Sequence, residues 1–441
     1  MTLLLGCIAD DFTGGTDLAG MLVKAGMRTV QLIGVPGADT QVPADVDAIV
    51  IALKSRTSLP HEAVAESLAA LRWLQRAHCR QFYFKYCSTF DSTPQGNIGP
   101  VMEALMQVLD TNFTIACPAF PANKRTVYKG NLFVGDELLS ESGMRNHPLT
   151  PMLDSNLVRV LQQQISDKVS GKVGLADFGV VEQGADALRH RFADLRAEGC
   201  RYAIVDAVSN DDLMAIGAAC AGMPLVTGGS GIALGLPQNF RAAGLLGPSG
   251  AGVAESLPAT GGLRAVISGS CSVATQKQVA LMRAQAPSFQ VDPLQLATGF
   301  DVVGAALAWA AEHLAPGYLT PEPLLVYATA APETVRAAQE RLGTAQAGSL
   351  VEDTLASIAQ GLVKLGVGQL IVAGGETSGA VVKALGVSGL RIGPEIDPGV
   401  PWTVALGSSD SVSNSPPLAL ALKSGNFGSD DFFVKAWGCL P

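Results

Sequence analysis

Short apolar runs alternate with segments of helical period along almost the whole chain. That alternation constrains the fold more than any other feature. Parallel strands must be joined by crossovers, usually helices, so a strand–helix–strand rhythm predicts a parallel α/β sheet. Leu3–Ala9 reads as a buried strand. The helix after it shows a face of Leu18, Met21, Leu22 and Ala25 and stops at Gly26, the residue type favoured just past a helix end. Thr29–Ile33, Ala48–Leu53, Gln81–Tyr86 and Phe113–Cys117 continue as strands, with helices at Pro60–Ala77 and Ile98–Leu109. Lys172–Phe178, Tyr202–Ala207 and Pro224–Thr227 extend the series. The stretch Gly244–Gly262 is small, rich in Gly, Pro and Ser, and aperiodic, so it reads as a linker. Beyond it, Arg264–Ile267, Leu324–Tyr327 and Gln369–Val372 are strands again, and Leu350–Leu365 a helix. The expected architecture is α/β with two domains, 1–243 and 263–441, joined by 244–262. Each domain has a mostly parallel sheet flanked by helices, with the active site expected in the cleft between them.

Composition narrows the function. The 441 residues carry 39 acidic and 30 basic side chains, a net charge of −9, which opposes an extended nucleic-acid or anionic-membrane surface. Any anionic ligand must be held by a few placed cations and backbone amides. The eight cysteines include no Cys-x-x-Cys pair and the five histidines no His-x-x-x-His spacing, which argues against a zinc site. The N-terminal apolar run has no basic segment before it and no cleavage site after it, and no stretch has the ~20 apolar residues of a membrane span. A soluble, cytoplasmic protein is expected.

In the first domain the polar residues fall where strands end. Strand one runs into Asp10-Asp11-Phe12-Thr13-Gly14-Gly15, the third into Lys54-Ser55-Arg56-Thr57, and the fourth into Lys85-Tyr86-Cys87-Ser88-Thr89-Phe90-Asp91. In an open parallel sheet these carboxyl ends share one edge, where ligands bind. Two carboxylates, several cations and hydroxyls on one rim suit a small polyhydroxylated anion. Adjacent aspartates after a strand also serve as turn formers and helix caps, and a strand-end Lys is often only a solvated charge.

The second domain carries glycine-rich turns. Ala373-Gly374-Gly375-Glu376-Thr377-Ser378-Gly379 follows a strand and precedes a helical run, an arrangement that presents free N–H groups to an anion. Ser268-Gly269-Ser270-Cys271-Ser272 repeats it, and Ser424-Gly425-Asn426-Phe427-Gly428 adds a third. Thr227-Gly228-Gly229-Ser230-Gly231, in the first domain, is either a fourth or a plain strand-to-helix turn. None matches Walker A or the dinucleotide G-x-G-x-x-G, and the absence of the latter argues against a dehydrogenase. A hydroxy-acid rim plus a phosphate cradle suggests phosphoryl transfer, with Mg²⁺ bridging the phosphates.

Taken together, Ala9–Asp17, Lys85–Ser92, Cys117-Pro118-Ala119-Phe120-Pro121, Ala373–Gly379 and Gly425–Gly428 resemble the four-carbon acid sugar kinases over nearly the whole chain. Cys117–Pro121 and Leu138–Pro151 are most similar to the 3-oxo-tetronate kinases within that family. The resemblance implies ATP-dependent phosphorylation of the 4-hydroxyl of a 3-oxo-tetronate, with Mg²⁺. Alternatives are a D-threonate or D-erythronate kinase, or a sugar-acid-binding protein without catalysis. It implies catalytic roles for Asp11, which would orient or deprotonate the acceptor hydroxyl, and for Lys85. On the substrate side it implies Asp10, Arg56, Lys85, Tyr86, Cys87, Ser88 and Thr89, with Arg56 and Lys85 either on the substrate carboxylate or screening charge on the transferring phosphate. For the nucleotide it implies Ser268, Ser270, Gly374, Gly375, Glu376, Thr377 and Gly425. No carboxylate is assigned to the metal. The expected partners are a small sugar acid and ATP, with neither nucleic acid nor membrane, and a homodimer is compatible with them. Two departures stand out. Gly15 stands where the family usually has alanine, expected to loosen the turn, and Lys124 where it usually has glycine.

Overall fold

The computed structural model describes residues 3–37, 40–147, 149–165, 171–248, 254–296, 298–314, 322–329, 343–406 and 417–440. Residues 249–253, within the expected linker, and residue 148, within the segment Leu138–Pro151, lie outside them. The chain divides into two compact units, Met1–Glu255 and Ser256–Pro441.

The first unit is built on β1 (Leu5–Ala9), β2 (Thr29–Ile33), β3 (Ala48–Ala52), β4 (Gln81–Lys85) and β5 (Thr114–Cys117), then β6 (Arg125–Tyr128), β7 (Asn131–Val134), β8 (Glu137–Leu138), β9 (Lys172–Ala176), β10 (Cys200–Val205) and β11 (Leu225–Gly228). Its main sheet runs β2-β3-β1-β4-β11-β5-β10-β9, and every neighbouring pair is parallel. The all-apolar runs at β1 and β3 are wholly buried, as strands covered on both faces must be. Helices α1 (Phe12–Lys24), α2 (Pro60–Arg76) and α3 (Ile98–Val108) make the crossovers. Helix α1 is followed by Gly26 at φ +86, as its sequence predicts. The chain leaves β1 toward β2 on one side and later places β4 on the other. The carboxyl ends of β1 and β4 therefore flank the topological switch point.

The second unit contains β12 (Leu263–Ser268), β13 (Ser288–Gln290), β14 (Leu324–Tyr327), β15 (Val367–Ala373), β16 (Gly389–Asp397), β17 (Val400–Ala405) and β18 (Ala419–Lys423). Its order is β13-β14-β12-β15-β18-β17-β16, parallel as far as β18 and antiparallel across β18-β17-β16. Trp402, Phe432, Phe433 and Trp437 anchor an aromatic cluster in its core. The mostly parallel sheets and flanking helices are those the alternation predicts.

Two features escape that reading. Strands β6, β7 and β8 form a small antiparallel sheet. Lys129 and Gly130, the two loop residues of its first hairpin, both have positive φ, as a type I′ turn requires. The hairpin β16–β17 is the other. Both are too short or too irregular to carry a strong apolar alternation.

Candidate functional site

Five charged groups gather at the switch point of the first unit. Asp11 is the N-cap of α1: Oδ1 accepts from the Gly14 N–H at 3.0 Å and Oδ2 from the Thr13 hydroxyl at 2.9 Å. Arg56, from the loop after β3, donates Nε and Nη2 to the two Asp10 oxygens at 2.9 and 2.8 Å, and Nη2 also to Asp11 at 2.6 Å. Its Nη1 faces Asp91 at 3.9 Å. Lys85, at the end of β4, is buried with Nζ 3.7 Å from Asp11. A Cβ on Gly14 would stand 2.0 Å from that nitrogen, so the glycine makes room for the ammonium.

This geometry adjusts the expected roles. The Arg56 guanidinium is committed to carboxylates of its own chain, and the cluster balances three carboxylates against two cations. Burial pushes the Asp10 carboxyl above its ordinary value, with Arg56 and Lys85 recovering only part of the cost. Burial also acts on Asp11, but Arg56, Lys85 and the cap hydrogen bonds outweigh it and hold its carboxyl low. An ionised, capped Asp11 is suited to accept a hydrogen bond and poorly suited to take up a proton.

The strand-four segment divides. Thr89 lies beside the cluster, its hydroxyl donating to Asp91 at 2.5 Å and meeting Cys87 Sγ at 3.0 Å, and Ser88, next to it in the chain, is buried. Burial pushes the Cys87 thiol up to about 11, so it is not a thiolate. Tyr86 does not reach the rim. Its ring packs edge-on to Phe84 and Phe90, and its hydroxyl meets Thr227 at 3.2 Å in the core. Asn97, which the sequence reading passed over, donates its side-chain amide to the carbonyls of Ser55, Arg56 and Ser58 at 2.8, 3.3 and 3.1 Å. It clamps the loop that carries Arg56.

In the second unit the three glycine-rich turns end adjacent strands β12, β15 and β18, and they meet. Gly269 and Ser270 donate N–H groups to Ala373 O, and Gly374 donates to Lys423 O. A Cβ on Gly269 would lie 2.2 Å from Thr377 Oγ1, and one on Gly425 2.4 Å from Ser270 Oγ. Glycine at these positions permits the close approach. Ser268 is buried, its hydroxyl paired with Thr329 at 2.7 Å, whereas Gly375 and Glu376 are exposed at the start of helix Gly375–Ala384. That helix has no side-chain cap, which leaves its first N–H groups available to an anion. Lys423, buried below the third turn, is another residue the sequence reading missed, because it looks like an ordinary charge ending a strand.

The fourth turn is structural. A Cβ on Gly228, Gly229 or Gly231 would fall 2.4, 2.6 or 2.5 Å from carbonyls of Cys117, Pro118 and Ala119, so these glycines serve backbone packing. Gly15 likewise does not loosen its turn, since a Cβ there would sit 2.8 Å from Ala52 Cβ. Lys124 keeps the left-handed conformation, φ +57, that a glycine would adopt freely. Among the described residues there is no cluster of three or more His, Cys, Asp or Glu able to hold a metal. No helix among them is long and apolar enough to cross a membrane.

A parallel α/β unit with a charged switch-point cluster, followed in the chain by a unit whose glycine turns converge on a helix start, defines a class of small-molecule phosphotransferase. Comparison with known proteins agrees. Residues 5–236 match the family model of a sugar-binding N-terminal domain, and 265–433 that of a nucleotide-binding C-terminal domain. A 3-oxo-tetronate kinase of Burkholderia multivorans is 60% identical over 98% of this chain and 96% of its own. One from Pseudomonas fluorescens is 57% identical over 99% and 97%. A Salmonella typhimurium LT2 structure, described as that of a tRNA synthase, is 43% identical with a TM-score of 0.87 and covers both chains completely. This chain belongs to the four-carbon acid sugar kinase family, and within it is most similar to the 3-oxo-tetronate kinases.

Proposed function

We propose that this protein is an ATP-dependent kinase that phosphorylates the 4-hydroxyl of 3-oxo-tetronate. The hydroxyl oxygen bonds the γ-phosphorus, the bond from that phosphorus to the β–γ bridging oxygen breaks, and the hydroxyl proton is released to solvent, giving the 4-phosphate and ADP. In this reading the Met1–Glu255 unit holds the sugar acid and the Ser256–Pro441 unit holds ATP. The observation that carries it is near-full-length identity of 60% and 57% to two kinases of that name. The two clusters of side chains fit the same chemistry.

Asp11 accepts the hydrogen bond of the acceptor hydroxyl and orients it. Full deprotonation is not required, because a loose phosphoryl-transfer transition state demands little of a base. Lys85 screens charge, and Arg56 holds Asp10 and Asp11 in place. Ser88 and Thr89 hydroxyls meet the substrate's oxygens. Ser270, the Gly374–Thr377 turn and Gly425 cradle the phosphates. The residues fit a magnesium ion that arrives with ATP, since Mg²⁺ is commonly held by phosphates and only one or two carboxylates. Glu376 is the carboxylate that the three turns themselves carry. When bound, the ion supplies neutralisation of phosphate charge. A coupled ADP-release assay over 3-oxo-tetronates, threonates and erythronates tests the reading. Turnover with a 3-oxo-tetronate is expected to exceed the rest, and equal inertness toward all of them refutes it.

A further inference from the structure

The third glycine-rich turn is organised from beneath by two buried side chains. Lys423 has no exposed surface (0%), and its Nζ donates to the carbonyls of Ser424, Gly425 and Phe427 at 2.9, 3.0 and 3.0 Å and to Thr275 Oγ1 at 3.0 Å. Gln278, 1% exposed on helix Val273–Arg283, points Nε2 at the carbonyls of Phe427, Gly428 and Ser429 at 3.1, 3.1 and 3.0 Å. The hydroxyls of Ser272 and Thr275 add donors to Gly425 O at 2.5 and 2.7 Å. In its protonated form Lys423 has three protons, so four acceptors saturate it and it has nothing left to offer a ligand.

The consequence follows from peptide geometry. In a trans peptide the C=O and the N–H point in opposite directions, and this chain has no cis bond among its described residues. With the carbonyls of Ser424, Gly425 and Phe427 drawn onto Lys423, the N–H groups of Gly425, Asn426 and Gly428 face away from it. None of these three has a hydrogen-bond partner among the described residues. Ser429 N–H follows the same logic: opposite the inward carbonyl of Gly428, it donates to Asp397 at 2.8 Å, whereas Phe427 N–H closes the turn on Ser424 O at 3.2 Å. Asn426 is exposed at the tip of the turn, and Gly428 has φ +83, a conformation open to glycine.

We propose that Lys423, assisted by Gln278, is a positioning residue for the nucleotide: by gathering the turn's carbonyls inward, it presents the N–H groups of Gly425, Asn426 and Gly428 outward as a nest for the ATP polyphosphate. The proposal rests on reading the Ser256–Pro441 unit as the ATP-binding one. Lys423 acts through the turn and does not touch the phosphate.

The test uses full-length protein, titrated calorimetrically with ADP, together with steady-state kinetics. Lys423→Met is expected to weaken ADP about tenfold, what the loss of a single good hydrogen bond produces. It is expected to raise KM for ATP in step, with KM for the sugar acid unchanged. Gln278→Met is expected to act in the same direction by several-fold. A folded Lys423→Met variant with wild-type ADP affinity overturns the proposal, as does an equal rise in both KM values. If Lys423→Met does not fold, Gln278→Met decides by the same criteria. Wild-type protein that binds no ADP removes the nucleotide assignment itself, and the proposal falls with it.

Discussion

Arg56→Met removes the cation that three carboxylates share, and its cost can be worked from the cluster. The guanidinium makes three charge-assisted hydrogen bonds to Asp10 and Asp11 and faces Asp91. Asp10 is 6% exposed, Asp11 21% and Arg56 23% at the side chain, so the pairing is largely but not wholly screened from solvent. Breaking a buried pair by deleting one partner costs about 3–5 kcal/mol. The exposed fraction and the surviving Lys85 place this one near ~3 kcal/mol at pH 7.5. For a unit of this size, with a urea m-value of about 3 kcal/mol/M, the midpoint moves down by about 1 M. Trp73 is the sole tryptophan of the first unit, so its fluorescence follows the relevant transition. The pH dependence has a definite sign. In the wild type, Asp11 is held below its unfolded value, and the stability this contributes is present above the unfolded pKa and lost as pH falls through the folded one. In the variant, repulsion raises the carboxyls in the folded state above their unfolded values. The folded form then takes up a proton first, and the penalty shrinks toward pH 5, by up to ~1.4 kcal/mol per unit for each carboxyl involved. A wild-type midpoint at pH 7.5, or a penalty that grows on acidification, refutes the account.

Two further outcomes follow from the same geometry. Asn97→Ala strands three carbonyls of the Arg56 loop and is expected to cost about 1–3 kcal/mol in urea unfolding. It should also raise KM for the sugar acid while leaving KM for ATP alone; an equal change in both contradicts the clamp. Burial pulls Lys423 down to about 7 from its ordinary 10.5. Between those values the unfolded chain holds a proton that the folded one has released. Wild-type stability should therefore rise with pH relative to Lys423→Met, by up to ~1.4 kcal/mol per unit. Parallel curves of Tm against pH for the two proteins, from 7 to 9, count against it.

The two units' strands and crossovers were legible because burying a parallel strand on both faces demands a continuous apolar run, and that demand is local. Leu5–Ala9, Thr29–Ile33 and Leu324–Tyr327 announce themselves within a few residues. The hairpin at Lys129-Gly130 did not, since half-exposed four-residue strands leave little pattern.

For the candidate site, the sequence by itself determined which polar residues stand at strand ends, and a parallel sheet puts those ends on one edge. It also determined the family, through Asp10-Asp11 and the turns at Gly374 and Gly425. Only the tertiary structure decided what each side chain does there. Tyr86 is adjacent to Lys85 in the chain, yet successive strand residues face opposite ways, and its ring turns into the core. Arg56 looked free to grip a substrate until Asp10, 46 positions away, was found to hold it. The role of Lys423 depends on Thr275, 148 positions earlier. Pairings across such separations are set by packing and burial, and no local pattern of residues encodes them.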